Sequence, residues 1–186
     1  MANKDAAFGL KAIGKVGQNR DNQGLSEYDI AASATAIYQN DPVKMLATGT
    51  IGVAAAGDVL LGALTGVFFT DASTSKPTYA NHLEASNTAT DIVGFVADDP
   101  YERFEVQSAG TPAQTNIGNC ADIVYAAGSS PNYVSKVEAS GTMAAGTAQL
   151  KIIGVSRDPD NNELGSANAN LIVNINEHFL KATAGI

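Results

Sequence analysis

Two strand patterns joined by a turn occupy the middle of the chain, in the stretch Ile92-Val93-Gly94-Phe95-Val96-Ala97-Asp98-Asp99-Pro100-Tyr101-Glu102-Arg103-Phe104-Glu105-Val106-Gln107. The first half is apolar and ends at Asp98-Asp99-Pro100, where proline fixes φ and favours a turn. The second half alternates, with Phe104 and Val106 on one face and Arg103 and Glu105 on the other. The stretch therefore predicts a tight strand-turn-strand unit.

Short apolar runs of the same kind recur along the rest of the chain, separated by turns of Gly, Pro, Asn and Asp. We expect a hairpin or bulge over 43–56, two buried strands over 58–70 and strands over 150–155 and 171–175. Residues 71–90 are polar and predict a loop excursion or short extra strands, and one short helix is expected at 119–126. The pattern indicates a mainly β protein, an antiparallel β-sandwich or β-barrel with long loops.

Composition and charge narrow the range of partners. The 186 residues include no Trp and only 6 Phe and 6 Tyr, so the interior must be built from small aliphatic side chains. A net charge of −8 disfavours binding to nucleic acid or to anionic lipid. The single Cys120 cannot form an internal disulfide. Neither a secretory signal nor a membrane span is predicted, so we expect a protein that is made and stays soluble inside the cell.

The first 25 residues differ from the remainder, and we divide the chain into an extended N-terminal arm, 1–25, and a single β-rich domain, 26–186. The arm carries four of the 11 basic residues among scattered glycines. One interpretation is a frayed terminus, and the other is an arm that docks on another subunit. For the docking interpretation the candidate partner-binding residues are Phe8, Leu10, Lys11, Lys15 and Arg20.

The residues that carry chemistry are few and scattered. His82 and His178 have no other metal-binding residues at zinc spacing, so both are expected to face solvent. Cys120 lies among apolar neighbours and is expected to be a buried small hydrophobe. No nucleophile elbow or phosphate-binding glycine loop is present. We therefore predict no catalytic residue and no cofactor.

One acidic turn raises the question of a metal ion. Asp158, Asp160 and Asn162 match three positions of a calcium-binding loop, but Glu163 stands where that loop needs glycine, and Ala169 stands where it needs a bidentate glutamate. A calcium loop of that class is excluded. A weak ion site formed by Asp158, Asp160 and Glu163 is left open, and the prediction is that no metal is bound.

Several ordered blocks resemble one family, the head decoration or structural cement proteins of tailed bacteriophages. The blocks are residues 2–10, which begin Ala2-Asn3-Lys4-Asp5, then 28–38 with Asn40-Asp41-Pro42-Val43, 94–100 with Phe104-Glu105-Val106-Gln107, and 150–155 with the closing Leu171-Ile172-Val173-Asn174-Ile175-Asn176-Glu177-His178. Together they span most of the chain.

The resemblance implies a non-enzymatic virion protein on the outer surface of the capsid. Such a protein clamps neighbouring subunits of the major capsid protein, with its acidic face outward and its basic arm on a shell partner. It would be made in the host cytoplasm and would self-associate, with a trimer expected and a dimer as the alternative. Many modest contacts on one symmetric shell add up through avidity.

Three other functions fit the same residues less fully. A phage tail or baseplate protein would share the β-rich, chemically sparse sequence. A carbohydrate-binding β-sandwich on the virion surface would stack sugars on exposed aromatic side chains, for which this chain offers Tyr but no Trp. An enzyme is the least favoured, because titratable side chains are not clustered in the sequence.

Overall fold

The computed structural model describes residues 3–16 and 24–181, which form thirteen β-strands and two single-turn 3-10 helices. The helices are Gln114–Asn116 and Phe179–Lys181. The strands are β1 (Lys11–Lys15), β2 (Ser26–Asp29), β3 (Pro42–Met45), β4 (Ile51–Val53), β5 (Gly62–Thr70), β6 (Pro77–Ala80), β7 (Val93–Ala97), β8 (Glu102–Gln107), β9 (Cys120–Ala121), β10 (Ile123–Val124), β11 (Glu138–Ala139), β12 (Leu150–Val155) and β13 (Asn170–Ile175).

Eleven of these described strands form two antiparallel sheets that pack as a sandwich. The five-stranded sheet has the order β1-β8-β13-β12-β9. The six-stranded sheet has the order β2-β7-β5-β3-β4, with β6 paired to the far end of β5. The remaining two, β10 and β11, form a small ribbon. The expected mainly β, antiparallel sandwich is confirmed.

The central stretch crosses from one sheet to the other. The strands β7 and β8 are confirmed, but β7 pairs with β2 and β5 while β8 pairs with β1 and β13, so the two do not pair with each other. Asp98 accepts hydrogen bonds from Ser26 Oγ at 2.9 Å and Tyr28 Oη at 2.6 Å, both on β2. Asp99 forms an ion pair of 2.8 Å with Lys15 on β1. Each aspartate therefore fastens the turn to a different sheet.

Two apolar cores lie on opposite sides of the six-stranded sheet. The first lies against the five-stranded sheet, and Ala63 and Ala97 bring one end of the six-stranded sheet into it. The second lies on the other face, where residues 30–37 and 83–92 contribute Ile37, Leu83 and Ile92. The face that meets the first core at Ala63 and Ala97 continues beyond that contact along β5 and β7.

The N-terminal residues 3–16, which are the larger described part of the predicted arm, pack on the rest of the chain. The Leu10 side chain is fully buried in the first core, and its amide donates to the Asn40 carbonyl at 2.9 Å. Gly9, at φ +76°, passes so close to Asn40 and Ser135 that a Cβ would lie 2.4 Å from the Asn40 oxygen. β1 then adds to the edge of β8. Residues 17–23 of the predicted arm lie outside the described residues.

Other expected elements are changed by long-range pairing. The hairpin over 43–56 is confirmed as β3 and β4. The two strands expected over 58–70 are one strand, β5, with an irregular register between Leu64 and Gly66. The polar stretch 71–90 contains β6. The helix expected at 119–126 is wrong, because Cys120 and Ala121 pair with β12 instead.

Replacement of Leu10 by alanine tests whether the N-terminal segment is part of the folded unit. Removal of a fully buried leucine side chain should lower the free energy of unfolding by about 2–5 kcal/mol, measured by urea denaturation. Ile13→Ala, on the strand β1 that follows Leu10, is the matched control: Ile13 is 39% exposed, so the change should be about 0.5 kcal/mol or less. Equal effects of the two substitutions would contradict the placement of Leu10.

Candidate interaction surface

Three aromatic side chains lie side by side on the open part of the six-stranded sheet, and we call Phe68, Tyr79 and Phe95 the aromatic face. Phe68 stands directly opposite Tyr79 in the β5–β6 pair. The Tyr79 ring is stacked on Phe95 with centroids 5.2 Å apart and lies 6.2 Å from Phe68. Tyr79 is 69% exposed, whereas Phe68 and Phe95 are half-buried around it. The open side of this sheet is therefore apolar where an antiparallel sheet normally presents polar groups.

Local sequence explains why these rings meet. Val67 and Gly94 occupy the core side of their strands, so Phe68 and Phe95 point to the opposite side. Gly66 stands opposite Phe95 in the register and has no side chain to separate the rings. A Cβ at Gly66 would lie 3.1 Å from the Ala80 carbonyl and 3.8 Å from the Tyr79 ring. Glycine at this position lets Tyr79 reach across β5 onto Phe95.

Acidic side chains border the aromatic face along β2. Glu27 lies opposite Phe95 and Asp29 opposite Val93, and both acids are exposed. Asp91 lies at the far end of β5, where hydrogen bonds from the Thr70 side chain and from the Thr70 amide at 3.0 Å lower the pKa of its carboxyl. An apolar patch with a negative border favours a partner surface that offers apolar side chains and basic groups.

The structure places the predicted partner-binding residues away from this face. Phe8 is half-buried, and its carbonyl accepts a hydrogen bond from Asn40 Nδ2 at 3.0 Å. Leu10 is buried in the first core. Lys11 Nζ lies 3.9 Å from Glu105, and Lys15 pairs with Asp99. Arg20 lies outside the described residues. The four described residues therefore contact their own domain.

The two histidines differ from the expectation that both face solvent. His82 is stacked on Tyr133 with ring centroids 3.8 Å apart, and Tyr38 lies 6.3 Å away from it. This stack packs the 82–84 segment against the loop that contains Tyr133. His178 is 2% exposed, and burial lowers its pKa to about 4, so it is neutral at pH 7. The prediction was wrong because both rings are covered by segments far away in sequence.

Asp41 is an acidic residue with no sequence motif around it, and it is fully buried. Its Oδ2 accepts a hydrogen bond of 2.8 Å from the Tyr38 amide, while Oδ1 has no partner among the described residues. Burial raises the pKa of this carboxyl to about 6. The ionised Asp41 carboxylate therefore lowers the free energy of unfolding at neutral pH.

The acidic turn that contains Asp160 and Glu163 contacts the N-terminal segment of the chain. Lys4 forms an ion pair with Asp160, and Asn3 Nδ2 donates to the Glu163 carbonyl at 3.0 Å, so the turn binds the N-terminal segment. Cys120 is only half-buried.

Across residues 3–16 and 24–181, no three His, Cys, Asp or Glu side chains gather as metal ligands would. No described helix has the length and apolar character needed to cross a bilayer.

Comparison with protein-family models, with curated proteins and with solved structures gives no match for this chain.

Replacement of the buried carboxyl at position 41 gives a pH-dependent prediction. Because the folded-state pKa is about 6 and the ordinary value is 3.8, the wild-type protein loses stability as pH rises from about 4 to about 6. Asp41→Asn has no carboxyl to ionise at this position. Its free energy of unfolding should therefore be about 1–3 kcal/mol higher than that of wild type at pH 8, with little difference at pH 3.5. Chemical denaturation across this pH range measures the difference.

Asp91→Asn serves as the control for that experiment. The Asp91 pKa is lowered in the folded state, so removal of its charge should weaken the protein at pH 7 and have no effect at low pH. A stability difference for Asp41→Asn that does not change with pH would contradict a carboxyl whose burial outweighs its hydrogen bonds.

Proposed function

We propose that the chain is a structural protein of a tailed-phage particle, a head decoration protein that binds the outer surface of the capsid through its aromatic face. The observation that carries the proposal is the exposed cluster of Phe68, Tyr79 and Phe95 on an otherwise folded and packed sheet. Aromatic side chains are the usual anchors of protein interfaces. The block resemblance to decoration proteins supplies the kind of partner, the major capsid protein.

The charges around the aromatic face favour a partner other than a second copy of this chain. Glu27 and Asp29 border the aromatic face, and the whole chain carries a net charge of −8. Two such faces brought together would place like charges against each other, which costs free energy. A capsid surface with apolar pockets and nearby Lys or Arg would match both the rings and the carboxylates. The expected homo-oligomer, a trimer or a dimer, would then use other surfaces.

The long-range hydrogen bonds of the N-terminal segment support a role that requires slow unfolding. Asn3, Lys4 and Ala6 are bonded to residues more than 100 positions later in the chain, including Gln107 and Asn161. Unfolding must break these long-range contacts together with the sheets. Contacts that must break together raise the barrier to unfolding, and slow unfolding suits a protein that holds a pressurised shell.

A carbohydrate-binding surface is the second candidate, and the stacked pair favours it. Tyr79 and Phe95 offer flat apolar rings, and Glu27 provides a carboxylate beside them that can accept hydrogen bonds from sugar hydroxyls. This second function predicts binding to free oligosaccharides, which the decoration function does not.

Substitution of Tyr79 by serine tests the proposed function on purified heads that lack the protein. Loss of an exposed aromatic anchor should weaken binding about 30-fold, measured as occupancy against protein concentration. Tyr101→Ser is the matched control, since Tyr101 is 63% exposed but lies on the turn between β7 and β8. That control should bind as wild type does.

Two results would count against the proposal. Equal occupancy by wild type and Tyr79→Ser would remove the aromatic face from head binding. Binding of wild type to a glycan array, lost in Tyr79→Ser while head binding is absent, would favour the carbohydrate function instead.

A further inference from the structure

Three carboxyl side chains lie where the N-terminal segment, residues 3–16, meets the rest of the chain. Asp41 and Glu102 are buried, at 0% and 3% exposure, and Glu138 is half-buried. Burial is the main cause that raises the pKa of each carboxyl above its ordinary value. An ionised carboxylate at any of the three positions therefore weakens the arrangement that buries it.

The two glutamates contact opposite ends of the segment. Glu102 stands opposite Lys15 in the β1–β8 pair, and its Oε1 accepts a hydrogen bond of 3.1 Å from the Gly14 amide. Glu138 is on β11, where burial and then the charge of Asp5 raise the pKa of its carboxyl. Docking of the segment therefore helps to bury Glu102 and brings Asp5 towards a second carboxyl.

Asp41 lies behind the middle of the segment, with Ser135 between them. Gly9 approaches Ser135 so closely that a Cβ at position 9 would lie 2.7 Å from the Ser135 hydroxyl. On its other side this hydroxyl bonds to Asp41, where burial raises the pKa of the carboxyl to about 6 and the hydrogen bonds oppose it only in part. Departure of residues 8–10 would uncover Ser135 and bring water towards Asp41, which favours the ionised form.

No described cation offsets the charge of Asp41. The titratable and charged side chains of the elements around it are Tyr38, Tyr125, Lys11, Lys44 and Lys136. Lys11 and Lys44 lie within 4 Å of Glu105 and Asp58 instead, and Lys136 is exposed. Tyrosine hydroxyls carry no charge between pH 4 and pH 8. Ionisation of Asp41 in this range therefore meets no compensating charge.

The N-terminal segment is the side of this junction that can open with the least loss of sheet. It is held here by two bonds to Asn40: the Leu10 amide donates to the Asn40 carbonyl at 2.9 Å, and Asn40 Nδ2 donates to the Phe8 carbonyl at 3.0 Å. Asn40 and Asp41 themselves are bonded to Leu64 of the central strand β5. An edge strand near a chain end opens at a lower free energy than a central strand.

Ion pairs act in the opposite direction and keep the segment docked. Lys4 pairs with Asp160, and Lys15 Nζ lies 2.8 Å from Asp99. The hydrogen bond from Lys15 lowers the pKa of Asp99, so this pair strengthens docking at neutral pH. The buried carboxyls and the ion pairs therefore oppose each other as pH rises.

We propose that residues 3–16 form a pH-sensitive strap, which is closed on the sandwich while Asp41, Glu102 and Glu138 are protonated and opens locally more often as these carboxyls ionise. Asp41, the most deeply buried of the three, contributes most. The ion pairs keep the closed form in the majority, so pH changes the population of a minor open form. This inference goes beyond the function proposed for the aromatic face and does not depend on it.

Amide hydrogen exchange of the full chain, resolved by NMR between pH 4 and pH 7, tests the strap. The Leu10 amide reports its opening, and the Ile152 amide, which donates to the Asn119 carbonyl at 2.9 Å, reports the five-stranded sheet. The opening constant of Leu10 should exceed that of Ile152 at every pH, since the strap opens without the sheet.

Comparison of wild type with Asp41→Asn at each pH cancels the intrinsic exchange rate and isolates the effect of this carboxyl. The ratio of the Leu10 opening constant in wild type to that in Asp41→Asn should rise about ten- to fiftyfold from pH 4 to pH 7, because Asp41 ionises more easily in the open strap.

Two further variants serve as control and second test. Asp91→Asn makes the same change beside the aromatic face and should leave the exchange of Leu10 as in wild type. Glu138→Gln removes a carboxyl near the other end of the strap. It should slow exchange of the Ala6 amide, which donates to Gln107 Oε1 at 3.0 Å, at pH 7 but not at pH 4.

Three results would overturn the proposal. A Leu10 ratio that does not change with pH would show that opening of the strap does not relieve Asp41. Equal opening constants for Leu10 and Ile152 would show that residues 3–16 leave only when the whole domain unfolds. A pH-dependent ratio at the Ser135 amide, which is bonded to Gln39, without one at Leu10 would show that the other side of the junction opens.

Discussion

The turn between β7 and β8 is the constraint on which the sandwich depends. Asp98 is held by Ser26 and Tyr28 of β2, and Asp99 is held by Lys15 of β1. Adjacent carboxylates thus fasten one turn to both sheets. The same contacts anchor the end of β1 and the start of β2, so the strands on either side of residues 17–23 meet the domain at one corner. Loss of this corner would leave the two sheets joined mainly by their apolar packing.

The same corner lies at the end of β7, the strand that carries one ring of the aromatic face. One end of β7 enters the first core at Ala97, while Phe95, two residues earlier on the same side, is left on the open part of the sheet. The opposite edge of the same sheet ends at β4, where no described strand follows.

Local patterns predicted much of the fold. The alternation of Phe104 and Val106 and the apolar run before Asp98 gave the two central strands, and the turn residues near Gly49 gave the β3–β4 hairpin. The predictions that were wrong concern pairing between strands that are far apart in the sequence. Alternation cannot show that β7 and β8 lie in different sheets, because the strands with which they pair lie elsewhere in the sequence. The helix expected at 119–126 does not form, because Cys120 and Ala121 pair with β12.

The candidate surfaces were less predictable than the fold. Tyr79 lies in a polar stretch, and only its pairing with Phe68 makes it part of an apolar patch. Leu10 stands among glycines and lysines, and its burial depends on the close approach of Gly9 to Asn40. Histidine 82 is likewise covered by Tyr133 from a loop about fifty residues away. Each of these features follows from residues brought together by the sheets.

Cryo-electron microscopy of mature particles tests the proposal that this chain binds the outside of a phage head through its aromatic face. We expect density for the sandwich on the outer capsid surface, with Phe68, Tyr79 and Phe95 against capsid subunits and basic side chains near Glu27 and Asp29. A map that places the chain on the tail, or that turns the three rings toward solvent, would contradict it.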